Sequence, residues 1–176
     1  MKFIFWFVFF IPALIPSVCF CQTSKLDMAK QKIYDAKTNE ERLTNLVEFC
    51  KLRNSLHGDT IYRYATWARQ LAIQLKDERN LAWAEYSIIS SDLAKGKTDS
   101  ILSEIENNKV FKNIRKLDAA LYYKVQLLKA NALNRMNNRP AALELQLNLL
   151  NEAEKDGNIN AQLFILNFIG ATYLNV

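Results

Sequence analysis

The residues with the greatest potential for chemistry are one histidine and one cysteine. His57 is the only histidine in the chain, and Cys50 lies seven residues before it. A thiol–imidazole catalytic pair also needs an orienting group and an oxyanion pocket, and the surrounding sequence indicates neither. A metal site needs two or more convergent ligands. We therefore predict no catalytic residue and no metal ligand, and we interpret Cys50 as a buried apolar residue and His57 as part of a surface turn.

Two other groups of residues could indicate ligand chemistry. The segment 96–98 (Gly-Lys-Thr) matches the end of a phosphate-binding loop, but the full motif needs a glycine where Ser91 stands and a strand before it. Gly96 is better explained as the end of a helix. Five aromatic residues could form a stacking platform, although their helical spacing favours positions in a core: Trp67, Trp83, Tyr86, Tyr122 and Tyr123. The prediction is a protein that is not an enzyme and needs no cofactor.

The first residues have the organisation of a secretory signal. Lys2 precedes an apolar run, Phe3–Ile15, and small residues follow it. The run is shorter than the roughly 20 residues that span a bilayer, which argues against a transmembrane anchor. We expect residues 1–21 to be a signal peptide cleaved after Cys21, with acylation of a leader cysteine as the alternative. The predicted location is the periplasm or the extracytoplasmic face of the inner membrane.

Composition favours helix throughout residues 22–176. Only one proline and four glycines follow the leader, and no run of alternating β-branched residues is present. The net charge of +5 is spread along the chain. A mild, dispersed positive charge favours solubility and does not indicate a nucleic-acid interface, so no nucleic acid is expected as a partner of this segment.

Turn residues divide this region into helices with short links. Gly96 and Gly157 are expected to end helices, and Pro140 suits a first helical turn. Asp59 or Thr60 is expected to cap a helix. The predicted helices are approximately 39–56, 61–75, 80–95, a shorter one after residue 99, 117–136, 140–156 and 160–176.

Small residues recur at a spacing of 40. They are Cys50, Ser90, Ala130 and Gly170, and large apolar residues flank most of them at helical spacing. A small residue on a helix lets a partner helix approach closely, and the larger residues beside it fill the groove between them. Because helices joined by short links lie antiparallel, the spacing predicts repeated helical hairpins.

These features resemble those of tetratricopeptide repeats. The segment Leu166–Tyr173 (L-x-x-I-G-x-x-Y) is similar to the first-helix signature of that family, Ala142 falls at its small second-helix position, and Asn137–Pro140 falls at its inter-helix turn. Gln126 and Lys129 depart from the pattern, because large apolar residues are expected there. The resemblance implies an all-α fold, an α-solenoid of antiparallel hairpins with repeats of about 40 residues, occupying residues 22–176.

The layout also resembles the exported N-terminal repeat region of sensor histidine kinases and regulators of Bacteroidetes-type bacteria. That resemblance implies a module that binds a protein or peptide as the extracytoplasmic sensing part of a membrane signal-transduction protein. Any kinase activity and any membrane contact would lie in a missing C-terminal part. The alternative is a stand-alone periplasmic adaptor or scaffold without signalling output.

The resemblance implies that ligands bind on a concave face lined by first helices. Amides and cations just off the buried stripe suit an extended peptide, because amides bind its backbone and cations bind a carboxylate. The alternative is that these are ordinary solvated residues. The candidate ligand-binding residues are Lys51, Asn54, Lys124, Asn131, Asn134, Arg135 and Asn167.

The last predicted helix is apolar on almost every side. Such a helix should be covered on more than one face, whereas a solenoid normally ends in a cap with a polar outer surface. We therefore expect either that the domain is incomplete at its C-terminus or that a partner, including a second copy of the chain, covers this helix. Its large apolar residues are Leu163, Phe164, Ile165, Leu166, Phe168, Ile169, Tyr173 and Leu174.

Overall fold

A computed structural model of the chain describes residues 24–52, 56–98 and 100–174. Within these ranges the chain is α-helical apart from short links and one 3-10 segment, and no strand is present. The predicted all-α class is therefore confirmed. No helix in these ranges is both long and apolar enough to cross a membrane. The predicted signal peptide, residues 1–21, lies outside the described residues.

The described ranges contain nine α-helices. The 3-10 segment Lys109–Asn113 lies between α5 and α6. The helices are α1 Lys25–Asp35, α2 Asn39–Lys51, α3 Gly58–Leu75, α4 Glu78–Ala94, α5 Ile101–Asn107, α6 Ile114–Leu117, α7 Ala119–Arg135, α8 Arg139–Lys155 and α9 Ile159–Leu174.

Left-handed residues end several helices as the turn chemistry predicts. Gly96 has φ +87° and Gly157 has φ +63°, a region in which a side chain would be strained. Asn137, with φ 60°, occupies the same region, and asparagine tolerates it better than most residues. Pro140 lies in the first turn of α8, as predicted.

Side-chain caps begin most helices, and several boundaries differ from prediction. The helix predicted over residues 39–56 ends at Lys51. His57 caps α3 in place of the predicted Asp59 or Thr60, with its Nδ1 atom accepting a bond of 3.4 Å from the backbone N–H of Asp59. The helix expected from residue 117 to 136 is interrupted at Asp118. The Asp118 carboxylate accepts a bond of 3.0 Å from the Leu121 N–H, which starts α7 afresh.

The first helix was not among the predicted elements. It packs against α2 and buries Ile33 completely. Arg42 and Asn45 of α2 donate to the carbonyl oxygens of Ala36 and Lys32, both at 2.9 Å. Because these carbonyl groups lie at the C-terminal end of α1 and just after it, the bonds satisfy acceptors that have no partner within the helix.

Most helices pack against their neighbours in chain order, and some also pack against a helix further along the chain. The α3 helix contacts α2 and α4, α5 contacts α4 and α7, and α8 contacts α7 and α9. In addition α2 contacts α4, α4 contacts α7, and α7 contacts α9. The four small residues spaced by 40, Cys50, Ser90, Ala130 and Gly170, lie on these four helices, α2, α4, α7 and α9.

The core consists of two apolar clusters, and the partly buried Tyr122 packs against both. One apolar cluster joins α1 to α7 and includes the fully buried Phe49 and Leu121. A second cluster joins α7, α8 and α9 around Leu127, Leu149 and Ile165. Truncation of any one of these side chains to alanine should cost roughly 2–5 kcal/mol.

Candidate ligand groove

Four helices surround a groove of about 350 Å³ on one side of the molecule. Aromatic side chains form most of its walls: Trp83 and Tyr86 come from α4, and Phe164 and Phe168 come from α9. Cys50 and Lys51 of α2, Ser87 of α4 and Lys124 of α7 complete the lining. We call this feature the four-helix groove, because α2, α4, α7 and α9 each contribute to it.

Helical spacing explains why the aromatic residues share the groove. Trp83 and Tyr86 are three residues apart on α4, with ring centroids 6.0 Å apart in an edge-to-face arrangement. Phe164 and Phe168 are four residues apart on α9, and their ring centroids are 5.1 Å apart, also edge to face. Residues at these spacings lie on one side of a helix, and edge-to-face pairs are a favoured aromatic geometry. The walls are therefore two preformed pairs of rings.

Two lysines bring positive charge to the aromatic walls. The Lys51 Nζ atom lies 4.4 Å from the ring centroid of Trp83, and the Lys124 Nζ atom lies 4.4 Å from the ring centroid of Phe164. Each ammonium group is attracted by the negative face of its ring. Lys51 also pairs with Glu48 at 2.6 Å, on the exposed side of α2. The residues that line the groove thus include two cations and no carboxylate.

Asp118 holds the Trp83 wall in place. The indole Nε1 of Trp83 donates to Asp118 Oδ2 at 3.0 Å, and Arg79 Nε donates to the same oxygen at 3.0 Å. Burial of the Asp118 carboxyl raises its pKa, but the Leu121 N–H, the Trp83 indole and Arg79 together outweigh that effect and hold the pKa below its usual range. One carboxylate thus links the start of α7 to the groove side of α4.

The cysteine in the groove is not activated for nucleophilic chemistry. Cys50 is 3% exposed, and burial raises the pKa of its thiol to about 12. A thiol with that pKa is protonated at neutral pH, whereas the nucleophile is the thiolate. Within the part of the chain that the structure describes, no group of three or more His, Cys, Asp or Glu side chains could hold a metal ion.

A second, smaller hollow adjoins the groove. It measures about 210 Å³ and shares Lys124 and Phe164 with the four-helix groove. Asn158 and Asn160 add amide groups to its lining, and the Asn158 side chain already accepts a bond of 3.1 Å from the Ala161 N–H. The two hollows together form a surface that contains aromatic rings, ammonium groups and amides.

A more spacious hollow lies elsewhere. It measures about 540 Å³ and is lined by the start of α4 and by the 3-10 segment and α6. Lys109 and Lys116 contribute positive charge there, but Glu78 contributes a carboxylate and no aromatic residue takes part. We favour the four-helix groove because its lining combines two ammonium groups with aromatic rings and includes no carboxylate, whereas the hollow beside α6 has mixed charge and no ring.

A network of tyrosines and ions fastens α6 and α7 to α8. Arg115 donates to Glu152 and to Asp156, each at 3.0 Å. Tyr122 donates to Glu152 at 3.0 Å and Tyr123 donates to Asp156 at 2.8 Å. Burial, followed by the bond to Asp156, raises the pKa of Tyr123 to about 12. Since each of these polar groups has a partner on a neighbouring element, we interpret the network as structural: it holds α6 and α7 against α8.

The structure brings two of the predicted ligand-binding residues together. Lys51 and Lys124 both line the four-helix groove. Asn131, Asn134 and Asn167 are at least partly exposed but do not line it. The predicted residue Asn54 lies outside the described residues.

Arg135, another predicted ligand-binding residue, has a structural contact. It lies at the end of α7, outside the lining of the groove, and its Nη1 atom donates to the carbonyl oxygen of Leu93 at 2.7 Å. That carbonyl group belongs to the last turn of α4, where helix carbonyls lack partners. The Arg135 guanidinium therefore ties the ends of α4 and α7 together.

The sequence predicted core positions for the aromatic residues but did not predict the aromatic walls of the groove. Trp83, Tyr86 and Tyr123 are buried in the core, as expected. Trp83 and Tyr86 also line the groove, and the sequence analysis did not predict the pair Phe164 and Phe168 as a groove wall. Their spacing of four residues on α9 is the signal that could have indicated a shared face.

Comparison with known proteins adds no relative to this picture. No family model matches the chain, and no curated protein or solved structure matches it.

Proposed function

We propose that this chain is a binding module that holds an acidic peptide segment of another protein, in extended form, in the four-helix groove. The observation that carries the proposal is the composition of the groove: two ammonium groups and four aromatic rings, with no carboxylate among the lining residues. Two ammonium groups over apolar walls favour a ligand that offers carboxylates and apolar side chains together.

The packing of the helices supports a solenoid of the tetratricopeptide kind. Each of α3, α5 and α8 packs between two members of the series α2, α4, α7 and α9, and neighbouring members of that series touch. Ala130 and Ala142 are both fully buried on the paired helices α7 and α8, where that family places its small residues. In such a solenoid the first helices line a concave surface, and the four-helix groove is lined by this series.

An incoming carboxylate can displace the internal partner of Lys51 at little cost. The Glu48 side chain is 62% exposed, so releasing it to water leaves no buried charge behind. A surface ion pair of this kind contributes about 0–1 kcal/mol. The stacking of Lys51 on Trp83 is compatible with a ligand carboxylate, because an ammonium group has three donors and the ring occupies one side of it.

We further propose that the module is exported and serves as the sensing part of a membrane signal-transduction protein. The apolar leader, residues 1–21, supports export, and the repeat-like packing supports recognition of a protein or peptide. A periplasmic adaptor without signalling output would use the same groove. Mass spectrometry of the chain after expression from its full sequence in a bacterium tests export: we expect a product that begins at Gln22, and an uncleaved cytosolic product would contradict it.

The binding proposal is tested by selection from a random peptide library displayed on phage. We expect the selected peptides to be enriched in Asp and Glu and to contain an aromatic or large aliphatic residue. Replacement of both groove lysines, Lys51→Ala with Lys124→Ala, should weaken binding of a selected peptide by at least about tenfold, since two charge-assisted contacts are lost.

A matched control removes the same charge from a different hollow. The double variant Lys109→Ala with Lys116→Ala should bind the selected peptide as the parent does, because those lysines line the hollow beside α6. Equal losses in both double variants would show that net charge alone drives binding. Selection of peptides without acidic residues would also contradict the proposal.

A further inference from the structure

The α9 helix exposes a row of large apolar side chains. Leu163, Leu166 and Tyr173 are 57%, 49% and 58% exposed, and Gly170 lies between them in the sequence. The spacings of three, four and three residues place these four positions on one side of the helix. We call this row the α9 stripe. It is separate from the four-helix groove, whose α9 residues are Phe164 and Phe168.

Equivalent positions on other helices are mostly buried. Steps of 40 residues lead from Leu166 to Gln126 on α7, Tyr86 on α4 and Leu46 on α2. Leu46 and Tyr86 are 0% and 6% exposed, whereas Gln126 is partly exposed. Leu166 is thus far more exposed than its counterparts on α2 and α4.

Gly170 leaves room for another helix to come close. A Cβ atom built at Gly170 would meet no heavy atom within 4 Å. Its counterpart on α7, Ala130, is fully buried where α7 packs against α8. Small residues at such positions set how closely two helix axes approach. The stripe thus has both features of a helix-packing surface, large flanking side chains and a small residue between them.

Charge points to a second copy of the same chain as the occupant. The chain carries a net charge of +5, so two copies repel over most of their surfaces. Among the helices of residues 24–52, 56–98 and 100–174, α9 alone contains no Asp, Glu, Lys or Arg. Two α9 stripes can therefore meet without placing like charges against each other.

Symmetry gives such a contact the geometry that the fold already uses. A twofold axis perpendicular to α9 would place the two α9 helices antiparallel, which is the relation between helices joined by short links in this chain. The middle of α9, Ile159–Leu174, falls at Leu166. Leu166 would then face its own copy across the axis, and Gly170 would lie at the level of Gln162 of the other copy, next to Leu163 of that copy's stripe.

The available area is sufficient for a weak dimer. Ile159 and Leu174 extend the row at its two ends and are 63% and 86% exposed. Exposed apolar side chains of this size offer on the order of 100 Å² each, so two copies would bury about 1,000 Å² together. Specific interfaces begin near that value. An interface at this lower limit of size is expected to associate weakly.

We propose that two copies of this chain associate through their α9 stripes, antiparallel and around a twofold axis at Leu166. This surface is independent of ligand binding in the four-helix groove. The chain is expressed from its full sequence, purified and followed by sedimentation velocity. We expect monomers at a protein concentration of about 1 µM and dimers at about 100 µM.

A charge exchange at the axis is the sharpest test. Leu166→Glu and Leu166→Lys should each remain monomeric at about 100 µM, because like charges would face each other, and an equimolar mixture of the two should associate again. Ile73→Glu is the matched control, since Ile73 is 55% exposed on α3 and far from the stripe in sequence. It should dimerise as the parent does.

A second variant avoids any effect on folding. Gly170→Gln adds a side chain into open space in the monomer and should abolish the dimer by blocking close approach of the helices. Circular dichroism should show parental helix content for this variant. A parent chain that stays monomeric at about 100 µM, a Gly170→Gln chain that dimerises like the parent, or a charge-exchange mixture that stays monomeric would each overturn the proposal.

Discussion

Replacement of Asp118 by alanine should destabilise the fold more than the loss of an ordinary helix cap. The Asp118 carboxylate accepts the Leu121 N–H, the Trp83 indole N–H and the Arg79 guanidinium, each at 3.0 Å. Loss of the cap costs about 1 kcal/mol, and an unsatisfied buried indole N–H costs about 1–3 kcal/mol. Arg79, which is 64% exposed, can turn to water and adds little. We expect a total of about 2–4 kcal/mol.

A second capping aspartate provides the matched control. Asp77 caps α4 by accepting the Asn80 N–H at 2.9 Å, and it accepts its other bond from the Asn80 side chain rather than from a buried indole. Asp77→Ala should therefore cost only about 1 kcal/mol. Urea denaturation followed by circular dichroism measures both free energies of unfolding.

A double-mutant cycle isolates the contribution of the indole. In a Trp83→Phe background the N–H donor is absent, so Asp118→Ala should cost about 1–2 kcal/mol less than in the parent. If Asp118→Ala costs no more than Asp77→Ala, or costs the same in both backgrounds, the account of Asp118 as the link between α7 and the groove wall is wrong.

Three further predictions follow from buried polar groups. Because the folded-state pKa of Asp118 is lowered, its ionised form stabilises the fold above the unfolded pKa of about 3.9. The stability difference between the parent and Asp118→Asn should therefore shrink as pH falls from 7 to 3. A constant difference in urea titrations would contradict this. Gln146 is buried with no partner for its Oε1 atom, and its Nε2 atom donates to Thr172 Oγ1 at 3.0 Å. Because an unsatisfied buried acceptor costs about 1–3 kcal/mol and one such hydrogen bond contributes about 0.5–1.5 kcal/mol, Gln146→Met should stabilise the fold by about 1 kcal/mol. A lower urea midpoint would contradict it. In the chain that begins at Gln22, Cys50 is the only cysteine. Its thiol, with the pKa raised to about 12, should react with a thiol reagent at pH 8 only in denaturant, and rapid modification of the folded chain would refute its burial.

Much of the fold was predictable because it depends on local chemistry. Gly96, Gly157 and Pro140 mark helix ends through backbone preferences that act within a few residues, and the structure places them as expected. The four small residues spaced by 40 fall on the separate helices α2, α4, α7 and α9. Cys50 and Ala130 are buried there, as expected where two helix axes come close.

The misplaced boundaries depend on interactions that a local pattern does not contain. The pattern around Leu117 continues as a helix, and the break at Asp118 arises because its carboxylate is held by Trp83 and Arg79, which are 35 and 39 residues away in the chain. His57 caps α3 through a ring nitrogen, although histidine is not among the preferred capping residues.

Some features of the candidate site were predictable from local sequence, and others depend on contacts between helices. Lys51 and Lys124 were predictable as polar positions beside a buried stripe, and both line the groove. That Phe164 faces Lys124 depends on how α9 packs against α7, and that Arg135 reaches Leu93 depends on the meeting of two helix ends 42 residues apart. Neither contact has a signal in the spacing of residues within one helix.

Titration of a selected acidic peptide into a charge-reversed groove tests the central claim most directly. The double variant Lys51→Glu with Lys124→Glu should lose binding of the acidic peptide and gain binding of the same peptide with its acidic residues replaced by lysine. The parent should show the opposite preference, and calorimetry should give about tenfold or greater discrimination in each direction. If the reversed groove keeps the parent's preference, the peptide binds elsewhere and the four-helix groove is not the ligand site.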